Sequence, residues 1–293
     1  MKLTKCRVTL LFFAIFPLLQ AQTGSESDPK RWQRLAEAGD ATAQFHLGSY
    51  YEQGLGAEAD FKTAAKWYLR AAQQGQIDAQ YNLALLYLSG KGVAVDSKRA
   101  AEWFRKSAEA GDKLSQCNLG ALYERGEGVP QDRSQAAKWY LASAKQGDAL
   151  AAYNLAEDYL DGSGVKRDVA ESRYWFAVAA EAGYAPAQYK MGWFYSGAQD
   201  TPQDLNKAVH WFRLAAQQGE PLAIYALGVM AASGEGLPKD TITAFAYLTV
   251  SAQYGYELAL QARAQLQKAM TADEVRRGRE LAGRWKPQSD SEP

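Results

Sequence analysis

The chain has 293 residues, 47% of them hydrophobic and 12% aromatic, and 33 basic side chains balance 33 acidic ones. That composition excludes an intrinsically disordered chain, and the even charge gives no overall pull towards nucleic acid. The length suits one large domain or two ordinary ones, with apolar content ample for a buried core.

The first residues differ from all that follow. Lys2, Lys5 and Arg7 flank the start of an apolar run, VTLLFFAIFPLL, which then meets the polar stretch QAQTGSESD. This is the order of a secretory signal peptide over residues 1–21, with cleavage expected after Ala21. The run is too short for an ordinary transmembrane helix, which needs about 20 apolar residues. A retained N-terminal anchor is the alternative, and no cysteine stands at the junction to make a lipoprotein. Cleavage removes three positive charges and Cys6, leaving a slightly acidic chain with Cys117 as its one thiol. One thiol makes no internal disulfide, so packing alone must hold the exported fold. Cys117 stands in a column otherwise filled by aromatics and reads as buried filler.

Residues 22–34 read as a linker with a partial helix, and a repeat fills 35–270. Glycine recurs at 39, 75, 111, 147, 183, 219 and 255, a spacing of 36 without a slip. Trp67, Trp103, Trp139, Trp175 and Trp211 keep that spacing, as do Asp60, Asp96, Asp132, Asp168, Asp204 and Asp240. Such a period marks a repeat architecture. In each unit a first helix carries A-x-x-x-L-G/A-x-x-Y, as in Ala43, Leu47, Gly48 and Tyr51, and ends before a Gly-x-Gly loop. The aspartate then caps a second helix, whose tryptophan, following aromatic and alanine pair form one apolar stripe. Glycine fifteen residues after the aspartate stops that helix, because the exit from a helix favours positive φ. Gly48, Gly120, Gly192 and Gly228 fall in mid-helix, where glycine costs about 1 kcal/mol against alanine, so a neighbouring helix is expected to approach closely there.

No stretch alternates with the period of a strand. A single 36-residue hairpin cannot cover its own apolar face, so the units must stack. The expected fold is all-α: a right-handed α-solenoid of six to seven two-helix units, with a C-terminal capping helix over 271–286. Thr271 and Glu274 form a capping-box pattern there, Trp285 can lie over the open end, and 287–293 read as a disordered tail. The tryptophan column is expected to dominate the core. The stretch SGAQDTPQD lacks the second loop glycine, and Arg263 stands where a leucine is expected, as suits a solvent-facing end.

The unit AQYNLALLYLSGKGVAVDSKRAAEWFRKSAEAGD resembles a Sel1-like repeat, the tetratricopeptide-related helical hairpin, in its exported bacterial form. That resemblance implies a non-catalytic scaffold of the cell envelope, periplasm or secreted space, which brings protein partners together. Cysteine-rich members of the family are linked to β-lactam hydrolysis or binding, but their paired cysteines are missing here.

Hidden chemistry finds little support. His46 and His210 lie in distant units, so no metal or other cofactor is expected. The Gly-x-Gly loops follow no strand and recur in nearly every unit, which makes them turns and not phosphate cradles. A binding face is the better candidate. At 100° per residue, the column one before the core leucine lies on the side of the first helix: His46, Asn82, Asn118, Asn154 and Lys190. Ser49, Leu85, Ala121, Glu157 and Trp193 lie in the column two after that leucine, and Tyr81, Tyr153 and Tyr189 offer flat contact area. Together they outline a groove for a protein partner, the amides bonding an extended peptide. Internal packing of the same side chains is the competing reading. A cell-wall glycan, peptidoglycan or exopolysaccharide ligand is the second functional reading, and a β-lactamase-like hydrolase the last. No nucleic acid and no membrane span after signal cleavage are expected.

Overall fold

The computed structural model describes residues 29–55 and 58–287. The signal segment 1–21, residues 22–28 of the linker and 288–293 of the tail lie outside the described residues. The described residues contain helices and no strand. Helix α1 (Pro29–Glu37) precedes six hairpins, each pairing a first helix with a second. They are α2 (Ala41–Gln53) with α3 (Phe61–Gln73), α4 (Ile77–Ser89) with α5 (Ser97–Glu109), and α6 (Lys113–Arg125) with α7 (Arg133–Ala144). Then come α8 (Ala149–Asp161) with α9 (Val169–Glu181), α10 (Ala185–Tyr195) with α11 (Leu205–Gln217), and α12 (Pro221–Ser233) with α13 (Thr241–Gln253). Helices α14 (Glu257–Gln267) and α15 (Ala272–Gly283) end the chain. Each hairpin packs within itself and against the next, so the molecule is an all-α solenoid.

Local chemistry sets the boundaries. The six aspartates cap the second helices: the carboxylate of Asp60 accepts from the Thr63 N–H at 2.9 Å, and that of Asp96 from the Arg99 N–H at 3.0 Å. Asp40, Asp112 and Asp148 cap first helices in the same way, each at 2.7 Å. The seven stop glycines have φ between 81° and 102°, the left-handed region that a side chain resists. In the loop that lacks its second glycine, Gln199 itself adopts φ 56°, and a 3₁₀ turn (Ala198–Asp200) carries the chain back into register at Asp204.

The core differs from the expected tryptophan column. The residue after each tryptophan forms the centre: Tyr68, Phe104, Tyr140 and Phe176 are fully buried, and Phe212 and Leu248 nearly so. Trp67, Trp103, Trp139 and Trp211 are half-buried, and only Trp175 of that column is buried. Consecutive helical positions diverge by 100°, so one of the two aromatics faces its own first helix and the other is turned to the seam between units.

Three of the mid-helix glycines admit a ring of the second helix, Gly228 admits Leu248, and at Gly120 the Ala136 carbonyl also comes close. A Cβ on Gly48 would stand 2.7 Å from the Tyr68 ring, on Gly120 2.8 Å from the Tyr140 ring, and on Gly192 2.5 Å from the Phe212 ring. Two of these rings carry hydroxyls, and each hydroxyl has a carboxylate: Tyr68 donates to Glu52 at 2.6 Å and Tyr140 to Glu124 at 2.9 Å. Where the ring is Phe104 or Phe176, the position of the glutamate holds Leu88 or Leu160. Both buried ring hydroxyls thus have an acceptor, and Phe104 and Phe176 have a leucine in its place.

A glutamine chain fixes unit to unit. Gln44, Gln80, Gln116 and Gln188 each donate to the carbonyl of the preceding unit's alanine (Ala36, Ala72, Ala108, Ala180) at 3.0–3.2 Å. Their own oxygens receive Gln74, Gln146 and Gln218 at 2.8–2.9 Å, except that of Gln80, where Ala110 replaces the donor and the oxygen stays buried and unpaired.

At the C-terminal end, Thr271 and Glu274 form a reciprocal capping box. Helix α15 lies along the outer face of α13, where a Cβ on Gly278 would stand 2.7 Å from the Phe245 ring. Trp285 packs edge-on against Tyr247 at 5.7 Å, so it covers α13 and not the exposed end formed by α14. The α13 sequence explains this, since Ile242, Ala246 and Val250 stand where α3 carries Lys62, Lys66 and Arg70.

Candidate partner-binding groove

In α4, Ala79, Gln80, Tyr81, Leu83, Ala84, Leu86 and Tyr87 are buried, which leaves a strip through Asp78, Asn82, Leu85 and Ser89 in reach of solvent. Those positions recur at i, i+4, i+7 and i+11, one face of a helix. The same strip on the neighbouring units carries His46 with Ser49, Asn118 with the buried Ala121, Asn154 with Glu157, and Lys190 with Trp193.

The candidates divide by what they touch. Tyr81 is buried at 8% exposure and stands edge-on to the core ring of Phe104 at 5.8 Å. Tyr153 and Tyr189 are half-buried and rest on Phe176 at 5.4 Å and Phe212 at 5.8 Å. Burial pushes the Tyr81 and Tyr189 hydroxyls up to about 12. These tyrosines chiefly hold helix to helix. Asn118 Nδ2 donates to the Leu114 carbonyl at 2.9 Å, so this amide serves its own helix while staying half-exposed, and Asn82 is half-exposed on the strip. Asn154 and Leu85 are half-exposed on the strip.

His46 stacks on Trp32 with ring centroids 5.2 Å apart and an 18° interplanar angle. Burial holds its pKa below the ordinary histidine value, against the opposing pull of Asp40 and Asp78. The imidazole is therefore neutral at neutral pH and acts as a flat, weakly polar surface.

The densest chemistry lies towards the C-terminal half. Lys190 Nζ meets Glu157 Oε1 at 2.7 Å, with both side chains mostly covered. The ammonium also lies 5.5 Å from the Phe176 ring centre and 5.7 Å from that of Trp193. An ammonium facing aromatic rings and one carboxylate is attracted to both. One unit on, Val229 occupies the place of Trp193 and is 41% exposed. Glu157 belongs to the column foreseen from the sequence, which stops at Trp193 and omits Val229. The signal for Val229 was present, since it follows Trp193 by one 36-residue period in the same column.

Among the described residues, no group of three or more His, Cys, Asp or Glu is placed to hold a metal ion, and no helix is long and apolar enough to cross a membrane. Cys117 is buried, and burial pushes its thiol well up from the ordinary value, which suits packing and not nucleophilic work.

Comparison with curated proteins gives no match. Among solved structures, the chain is similar to c5321, a protective antigen of uropathogenic Escherichia coli displaying an SLR fold. The identity is 31% and the TM-score 0.79, over 87% of this chain and 55% of that one, so this chain spans little more than half its length. It is also similar to a Sel1 repeat protein from Oxalobacter formigenes, at 30% identity and TM-score 0.67, over 78% of this chain and all of the other. The Sel1 repeat profile matches six consecutive segments, 41–76, 77–112, 113–148, 149–184, 185–220 and 221–256. With that register matching the hairpins one for one, the chain belongs to the Sel1 repeat family.

Proposed function

We propose that this chain is a non-catalytic scaffold of the cell envelope or secreted space that holds a protein partner along the strip formed by its first helices. Sel1 repeat proteins generally act as protein-interaction scaffolds. The observation that carries the groove reading is a line of half-exposed side chains on successive first helices, broken at the buried Ala121 and running on to Trp193 and the exposed Val229. An aromatic beside a fixed charge pair is the kind of anchor on which binding energy concentrates. The N-terminal grammar Lys2, Lys5, Arg7 and apolar run supports export, as does likeness to a protein described as a protective antigen.

The test is site-specific photo-crosslinking in the producing cell. A crosslinker at Asn118, on the strip, is expected to trap a discrete protein adduct that Trp193→Ala weakens at least tenfold. The same crosslinker at Lys138, on the outer face of α7, is expected to trap none. Equal adducts at both positions, or none at Asn118, would refute the groove. Saturable retention on purified cell-wall sacculi, lost with Trp193→Ala, would move the reading to a glycan ligand.

A further inference from the structure

The solenoid ends in two unmatched halves. Helix α1 meets α2 as the second helix of each unit meets the first helix of the next. Gln44 Nε2 donates to the Ala36 carbonyl, and Gly39 makes the same positive-φ exit as the later stop glycines. By register, then, α1 is a second helix whose own first helix is missing from the described residues. At the other end α14 packs on α13 as a first helix should, but α15 has gone to the outer face of α13. Helix α14 is a first helix without its second.

The exposed positions are those the missing partners would cover. Leu35 on α1 is 41% exposed, whereas its equivalents Ala71, Ser107, Ser143, Ala179, Ala215 and Ser251 are fully buried. That column faces the start of the unit's own first helix, as the bonds from Ser143 Oγ to the Lys113 carbonyl and from Ser251 Oγ to the Pro221 carbonyl show, each at 2.7 Å. Trp32 holds the place of the core aromatics Tyr68 and Phe104, yet is only half-buried. On α14, Leu260 is 45% exposed at a position buried in all six units. Ala264 is also exposed, where Gly48, Gly120 and Gly192 receive a ring of the second helix and Gly228 receives Leu248.

We propose that a second copy of this chain docks its α1 on α14, closing the two halves into a seventh hairpin and continuing the solenoid head to tail. Trp32 of one copy then takes the seat over Ala264 of the other, and Leu35 and Leu260 enter the buried columns of Leu35's and Leu260's own equivalents. The template is the hairpin interface that the chain already builds six times. Lys30 and Arg34 occupy the outward columns of Lys66 and Arg70, so those two do not face α14, while Arg31 takes the half-buried column of Trp67 at the rim of the seam. Arg263 replaces the core leucine of the column, and its aliphatic stem can line the seam with the guanidinium at the rim, which keeps the contact weaker than an internal hairpin. Such a contact uses different surfaces on the two copies, so it does not close on itself.

Sedimentation of the purified chain from low micromolar to near-millimolar concentration tests this. The weight-average mass is expected to climb past that of a dimer. Leu35→Glu and Leu260→Glu should each weaken association at least tenfold, with melting curves close to that of the parent. A one-to-one mixture of the two variants should form a heterodimer that grows no further, since each supplies the end the other has lost. Ala264→Lys should behave as Leu260→Glu does. A parent monomeric throughout, growth that stops at a closed dimer, or a mixture no more associated than its components would overturn the proposal.

Discussion

Ala110→Gln should stabilise the protein, although it adds a long polar side chain to the surface. Gln80 Oε1 is buried without a donor, while Gln44, Gln116 and Gln188 each receive one from a glutamine thirty residues on. The backbone is already suitable: Ala110 has φ −77° and ψ 0°, against −89° and 3° at Gln74 and −87° and 4° at Gln218. An unpaired buried acceptor costs about 1–3 kcal/mol. Ordering the new glutamine costs up to about 2 kcal/mol, less because its stem stays near solvent. The net gain should be about 1 kcal/mol, which raises the Tm of a chain this size by about 2–4 °C. Ala182→Gln is the control, because Ala152 offers no amide oxygen to receive it. Thermal and urea unfolding of both variants decide the matter. A gain in Ala182→Gln as large as in Ala110→Gln, or a loss in Ala110→Gln, would show that the unpaired oxygen carries no cost.

Glu124→Leu leaves the buried Tyr140 hydroxyl without its acceptor and should cost about 1–3 kcal/mol, whereas Glu124→Leu with Tyr140→Phe recreates the Leu88 and Phe104 pairing and should recover most of it in urea melts. Gly120→Ala drives a methyl to 2.8 Å from the Tyr140 ring and 3.2 Å from the Ala136 carbonyl, so its overpacking of about 1–3 kcal/mol should exceed the alanine's helix gain. Burial raises the Glu220 carboxyl above the ordinary glutamate value, so the folded state binds its proton more tightly than the unfolded one. The ionised form therefore weakens the fold as pH rises through that raised value. Glu220→Gln should stabilise near neutral pH and change nothing below pH ~4, where both states are protonated; equal effects at both would exclude the charge as cause.

The period, the caps and the stops were legible because each is a local transaction between a side chain and its own backbone. Asp60 caps α3 wherever α3 packs, and Gly75 exits it for the same reason. The centre of the core was not legible in that way. Trp103 and Phe104 are neighbours on one stripe, and only the direction of the first helix decides which ring it receives. The paired changes Tyr68 with Glu52 and Phe104 with Leu88 held that direction, but they link different helices and escape a pattern confined to one. The strip of His46, Asn82, Asn118 and Lys190 followed from 100° geometry alone. The bond of Asn118 to its own helix, and the seating of Tyr153 and Tyr189 on core rings, depend on side-chain reach that spacing does not record. The place of α15 was foreshadowed by Ile242, Ala246 and Val250, apolar where α3 is basic.

Since every hairpin leans only on the hairpins beside it, tension applied to the two ends has no distant strut to oppose it. The molecule should then yield as a staircase, one brace of helices at a time. Each release would free 36 residues, about 120 Å of extended chain, from a layer about 10 Å deep. Length under load thus becomes something the chain can give in measured increments, with the remainder still folded.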